Sequence, residues 1–227
     1  MNRLLACVLV VPAVIRDRPF RCWLRYAVIV FLVATVPVGI LLAAGGPYAV
    51  ASFRSILSRP SYETIWALID GNLTTGLLGP AAERFDVSTA GGLRGNPARI
   101  PGWLRTSLFG LIGLYVFWRA ELKESPRRLV SFVCLTVVLF LLWSKGWSPQ
   151  WQVFLFPLVL LSLPYQRALL FVMTLSAVNL AEWPVLLSRG LNEWLYVTVL
   201  LRTGLLIFLA FKLWRSVAGS HRAPRCA

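Results

Sequence analysis

Two short polar segments, Arg59 to Ile65 and Lys145 to Trp151, stand out in an otherwise apolar sequence because their side chains could do chemistry. In the second, Ser148 is an apt N-cap and Pro149 an apt first helical residue, so a helix is expected to start there. The free N–H groups and positive dipole end of such a helix attract an anion, and Lys145 adds a full charge nearby. A phosphate fits that description; so does a plain interfacial anchor, since Trp143, Trp147 and Trp151 are what an aromatic belt contains. In the first segment, Ser61 is placed to cap a helix in which Tyr62, Ile65, Trp66 and Ile69 form an apolar stripe. The opposite stripe then carries Glu63 and Asp70, about 10 Å apart along the axis. Either acid alone could orient a sugar hydroxyl, but the two are also what a solvated helix face holds. Arg202 is the third candidate: it lies inside the last apolar run, where a cation is costly and usually has a purpose. A lipid phosphate or an acid such as Glu182 is its expected partner.

The elements that position these residues are set by composition. The chain has 227 residues, 58% of them hydrophobic and 14% charged, with a mean hydropathy of +0.70. A soluble domain is about 45–50% apolar and about 25% charged, so a water-soluble enzyme is excluded and a bilayer is the solvent. The formal net charge of +14 does not point to nucleic acid, because the cations sit between apolar runs and form no stripe. Cys7, Cys22, Cys134 and Cys226 are scattered, with no C-x-x-C pair, and His221 stands alone in a basic tail, so no metal site is expected.

Seven apolar segments are legible: Leu4 to Ile15, Tyr26 to Ala44, Trp103 to Trp118, Leu129 to Trp143, Trp151 to Leu163, Ala168 to Leu187 and Trp194 to Trp214. The expected fold class is all-α, a polytopic bundle of six to seven membrane segments forming one membrane domain over 1–227. The first and fifth runs are short, and Pro157 lies inside the fifth. Arg16, Asp17 and Arg18 follow the first run where a signal-peptide cleavage site would need small residues, so it reads as a cut-off membrane helix. Residues 45–102 form an extracytoplasmic loop, in which Ala49, Val50, Phe53, Ile56 and Leu57 describe a short interfacial helix. The loop becomes Gly/Pro-rich beyond Gly71, and its Asn72-Leu73-Thr74 matches a glycosylation acceptor that is common by chance.

The cations orient the bundle. Arg16, Arg18, Arg21 and Arg25 fall in one loop, Arg119, Lys123, Arg127 and Arg128 in another, and Arg167, Lys212, Arg215, Arg222 and Arg225 on the same side by alternation. That side is expected to be cytoplasmic, giving an outer N-terminus, a cytoplasmic C-terminus and a place in the plasma (inner) membrane. An outer N-terminus without a cleavable signal suggests that preceding helices are missing.

Arg59-Pro60-Ser61-Tyr62-Glu63-Thr64-Ile65 and Lys145-Gly146-Trp147-Ser148-Pro149-Gln150-Trp151 together resemble the multi-spanning GT-C glycosyltransferases, in the bacterial branch of polyprenol-phosphate-mannose-dependent mannosyltransferases and members of unknown function. The likeness is to the C-terminal part of such an enzyme. It implies transfer of a hexose, mannose by the likeness, from a polyprenyl-phosphate carrier to a lipid or glycan hydroxyl on the outer face, with no other cofactor. On the same likeness Lys145, Ser148 and Gln150 border the carrier phosphate, while Arg59 and Glu63 organise the outer cavity. The general-base acid of the family belongs to an early outer loop with no counterpart in this chain, so a separate N-terminal half is an implied partner beside membrane lipids. Two other readings stay open: a transporter fragment, which would show internal repeats, and a non-catalytic membrane scaffold.

Overall fold

The computed structural model describes residues 19–72, 95–122 and 125–218, with only the backbone described at 56–58. The Leu4 to Ile15 run, Gly/Pro-rich residues 73–94, Cys7, Cys226 and His221 therefore lie outside the described residues. Of the described residues, 82% are helical. Among the described residues there is no strand, only one isolated parallel bridge between Tyr62 and Gly146.

The described residues form, in order, the helices α1 (Phe20–Ser58), α2 (Ile65–Asp70), α3 (Gly102–Arg119), α4 (Pro126–Trp143), α5 (Gln152–Ser162), α6 (Tyr165–Leu180) and α7 (Leu195–Val217). Short turns precede α5 at Pro149–Trp151 and α7 at Asn192–Trp194, and a π-helical stretch, Ala181–Leu187, continues α6. Among the described residues, four helices are long and apolar enough to cross a membrane: Phe20–Ser55, Pro126–Trp143, Tyr165–Leu187 and Asn192–Val217. Helix α3 has 18 residues but carries Arg105 and Arg119, which lower its apolarity. As the prolines suggested, α5 is short, 11 residues with Pro157 inside; that is about 16 Å of rise against about 30 Å of hydrocarbon.

Local chemistry sets the boundaries. Ser125 caps α4 by accepting from the Arg128 N–H at 3.3 Å, with Pro126 at the first helical position. Helix α1 does not stop at Ala44: it breaks at Gly46, where φ is 50° and ψ −132°, and resumes to Ser58. Only glycine reaches that backbone region at little cost, and Pro47 follows it. The amphipathic stretch from Ala49 is thus the far arm of a broken 39-residue helix, rather than a separate short one.

The core lies where α4, α5, α6 and α7 meet, around Cys134, Val138, Leu155, Val159, Leu175, Leu209 and Leu213. Large apolar side chains such as Leu170, Met173, Phe208 and Phe211 point outward, a surface compatible with lipid. The two ends of the bundle differ. At one, the Glu121 N–H meets the Val217 carbonyl at 3.1 Å, Arg127 reaches the Ser162 carbonyl and Arg128 pairs with Glu121. At the other, Trp143 donates to Thr106, Trp66 donates to the Leu142 carbonyl, and the Tyr62–Gly146 bridge joins the first polar segment to the second. These helices fit a multi-pass membrane protein.

Candidate functional site

Both segments singled out by sequence lie at that second end, bound main chain to main chain. The Tyr62 N–H donates to the Lys145 carbonyl at 2.9 Å, and the Trp147 N–H donates to the Tyr62 carbonyl at 3.2 Å. Thr64 Oγ1 also donates to the Lys145 carbonyl, at 3.2 Å. Glycine at 146 permits this approach: a Cβ there would overlap Tyr62 Cε1, so the ring would have to shift.

This pairing rewrites the local structure expected around Ser61. The helix begins at Ile65, with Thr64 as the N-cap accepting from the Ala67 N–H. Tyr62 and Glu63 precede it, so Glu63 and Asp70 do not share a helix face. Ser61 does not cap either; its hydroxyl donates to Asp70 Oδ2. Asp70 also accepts from the Arg99 N–H through Oδ1 at 2.8 Å and is only 5% exposed, so its lone pairs hold chain segments together and it has no opening toward a sugar. Helix α2 ends at Gly71 in the left-handed region, φ 79°, the usual C-terminal cap.

Asn72 completes this network. Its amide donates to Ser61 Oγ and to the Asn96 carbonyl, and its carbonyl accepts from the Asn96 N–H at 2.7 Å. Asn96 in turn donates to the Asp70 and Gly71 carbonyls. A side chain buried and bonded in this way is no glycosylation acceptor.

Three cations converge beside the bridge. The Arg59 guanidinium lies 5.2 Å from the Tyr62 ring centre, and that of Arg105 lies 5.3 Å from Trp66 and 5.8 Å from Trp143. Arg105 Nε is buried without a hydrogen-bond partner. Lys145 is held below the usual lysine range, first by burial and then by the repulsion of Arg105 and Arg59. Sequence reasoning missed Arg105, because a single arginine near a helix start reads as an interfacial residue; the aromatic rings that seat it come from α2 and α4.

The second assembly centres on Arg202, which is 2% exposed. One of its NH2 groups pairs with Glu182 and the other donates to the Glu63 carbonyl, while its plane stacks 4.4 Å from the Trp147 ring. The expected acid partner is thus the one found. Trp147 is correspondingly no member of an aromatic belt: it is 2% exposed and its Nε1–H donates to Asn179 at 3.3 Å. Glu63 has φ 49°, the one positive value at a non-glycine among the described residues. Its carboxyl is pushed up to about 7, mainly by burial and further by Glu182, with Arg202 acting against the rise.

The helix start at Ser148 differs from its expected form. Pro149 does occupy the first position, but of a three-residue 3-10 turn, and the Ser148 side chain makes no capping bond. Gln150 is exposed. The main-chain pairing thus brings Arg59, Glu63, Lys145 and Arg202 into one region, with Ser148 and Gln150 on the chain leading away from it.

No cluster of three or more metal-ligating side chains occurs among the described residues. Comparison with protein-family models, with curated proteins and with solved structures gives no match to this chain.

Proposed function

We propose that this chain carries the part of a GT-C-type membrane glycosyltransferase that holds the phosphate of a polyprenyl-phosphate-linked hexose, at the outer end of the bundle. The observation that carries the reading is the convergence of Arg59, Arg105 and Lys145 beside the Tyr62–Gly146 bridge. Burial first and then the repulsion of Arg105 and Arg59 hold Lys145 below its usual range, Asp70 offsets part of the charge at Arg105, and a phosphate dianion would relieve the repulsion that is left. Aromatic seats for two of these cations hold them in place before a ligand arrives, which is the preorganisation that stabilises charge developing on a leaving phosphate. The apolar helices supply a lipid-facing path for the polyprenyl chain. In this reading mannose is the sugar, on the strength of the sequence resemblance, and the acceptor is a lipid or glycan hydroxyl.

The test is a titration of undecaprenyl phosphate into the purified chain in lipid nanodiscs, with Arg105→Ala, Lys145→Ala and Gln150→Ala beside it. Saturable binding weakened by the first two substitutions and spared by the third supports the cation cluster. Binding weakened only by Gln150→Ala returns the phosphate to the Ser148 turn. Absence of saturable binding leaves a membrane scaffold.

A further inference from the structure

Four side chains, Trp147, Asn179, Glu182 and Arg202, form a ring with three of its links in place. The Trp147 Nε1–H donates to Asn179 Oδ1 at 3.3 Å, the Arg202 guanidinium stacks 4.4 Å from the Trp147 ring centre, and Arg202 pairs with Glu182 Oε2. Helix geometry sets the fourth side. Asn179 lies in the last turn of α6 and Glu182 follows three residues later, in the π-helical stretch that continues it, a spacing that makes the two side chains neighbours on one face.

The groups on that fourth side are complementary and unjoined. An indole N–H can only donate, so Asn179 turns its carbonyl oxygen to Trp147 and keeps its NH2 group for another partner. Among the described residues, the bond from Trp147 is the one hydrogen bond of the Asn179 side chain. Glu182 is 1% exposed, and its Oε1 has no hydrogen-bond partner, the Asn179 amide included. An acceptor withdrawn from water and left unpaired is costly, and polar groups set this way among apolar helices mark a ligand path. Asn179 is half-buried, so the ring meets its surroundings at that residue.

The chemistry of the two ends selects what can join them. A cation would face the amide N–H and find Glu182 already balanced by Arg202; an anion would face the carboxylate. The smallest group that accepts from an amide and donates to a carboxylate through one oxygen is a hydroxyl. The chain does not bring its own: Thr198, one turn before Arg202 on α7, donates its hydroxyl to the Leu195 carbonyl at 3.1 Å.

We propose that Asn179 and Glu182 form a binding site for a single hydroxyl group, whose oxygen accepts from the Asn179 amide and whose proton is donated to Glu182 Oε1. Water supplies such a group, and so does a sugar. Trp147 lies two residues after Lys145, which sets the site beside the cation cluster. Only the sugar as source rests on the glycosyl-transfer reading above.

The experiment uses the full chain in lipid nanodiscs, with nitrogen-15 on asparagine and carbon-13 on glutamate side chains, and follows magnetisation transfer from bound water. Transfer is expected at the Asn179 amide and at the Glu182 carboxyl. It should vanish at Glu182 in Asn179→Leu, which keeps the ion pair with Arg202, and at Asn179 in the double variant Arg202→Met, Glu182→Leu, which removes the acceptor without stranding a charge. Absence of transfer at either residue of the unaltered chain overturns the proposal. So does transfer at Glu182 that survives Asn179→Leu, a result that needs no folded double variant. A second arm adds undecaprenyl phosphate or undecaprenyl-phosphate mannose. Displacement of the bound water by the mannose-bearing lipid alone supports the site with a sugar hydroxyl as its occupant; bound water that persists with both lipids supports it with water. If neither lipid binds while the bound water is seen, the glycosyl-transfer reading falls and the hydroxyl site stands.

Discussion

The guanidinium of Arg202 holds the main-chain carbonyl of Glu63 across 139 residues of sequence, so the segment before α2 is fastened to the N-terminal third of α7. The same guanidinium is paired with Glu182 and stacked on Trp147. Removing it disconnects three elements at once and strands a buried carboxylate. Arg202→Ala is therefore expected to destabilise the fold by about 3–5 kcal/mol, the usual cost of breaking one side of a buried pair. Arg202→Met with Glu182→Leu should cost less than Arg202→Ala alone. Thermal unfolding in detergent reads both, and equal losses would refute the account.

Glu63 predicts a pH dependence. Its folded pKa of about 7 lies above the ordinary 4.5, so between those values the folded chain binds more protons than the unfolded one. Its contribution is fully present below about pH 4.5 and is lost as pH rises toward 7. Glu63→Gln should flatten that part of the stability curve and raise stability above neutral pH relative to the unaltered chain. Unfolding midpoints compared across this range test the sign.

The cation cluster predicts affinity. A hydrogen bond to a charged group is worth about 1.5–3 kcal/mol, so Arg105→Ala and Lys145→Ala should each weaken binding of polyprenyl phosphate by roughly ten- to a hundredfold. Raising ionic strength should weaken binding in the unaltered chain and do so less in either variant. Isothermal titration at two salt concentrations measures both.

Gly146→Ala tests the bridge. The added methyl would overlap the Tyr62 ring, forcing Tyr62 aside and lengthening the bonds on either side of Glu63. The expected result is a loss of about 1–3 kcal/mol, typical of overpacking, with partial recovery in the double variant Gly146→Ala, Tyr62→Ala. Chemical unfolding of the three chains gives the answer.

Asn72 predicts both stability and modification. Its side chain bonds Ser61 and Asn96, and Asn72→Ala should cost about 1–3 kcal/mol through the donors and acceptors left unsatisfied. Exposure of the folded chain to an oligosaccharyltransferase should add no glycan at this position, as mass spectrometry would record.

Much of the architecture is legible in the sequence because lipid imposes one solution: apolar runs must be helices, and their lengths follow from the thickness to be crossed. The α4, α6 and α7 spans, the shortness of α5 around Pro157 and an acid partner for Arg202 follow from composition and position alone. The expectation for residues 61–64 failed because periodicity cannot see a distant partner segment: the apolar spacing of Tyr62, Ile65, Trp66 and Ile69 suits a helix, yet Tyr62 gains two main-chain bonds from Lys145 and Trp147 by staying outside it. Trp147 looked like a belt residue for a related reason, since an indole near a helix end is ambiguous until its neighbours are known.

What the sequence by itself determined is the helical class, the apolar spans and the two polar segments worth watching. Only the tertiary structure decided that these segments touch, that Arg105 joins Arg59 and Lys145, and that Glu63 stands near Glu182. The physical reason is range. Bilayer burial and helix periodicity act on neighbouring residues and are written in local composition, whereas a charge cluster or a buried ion pair depends on distances between residues far apart in the chain, which exist only once the helices have packed.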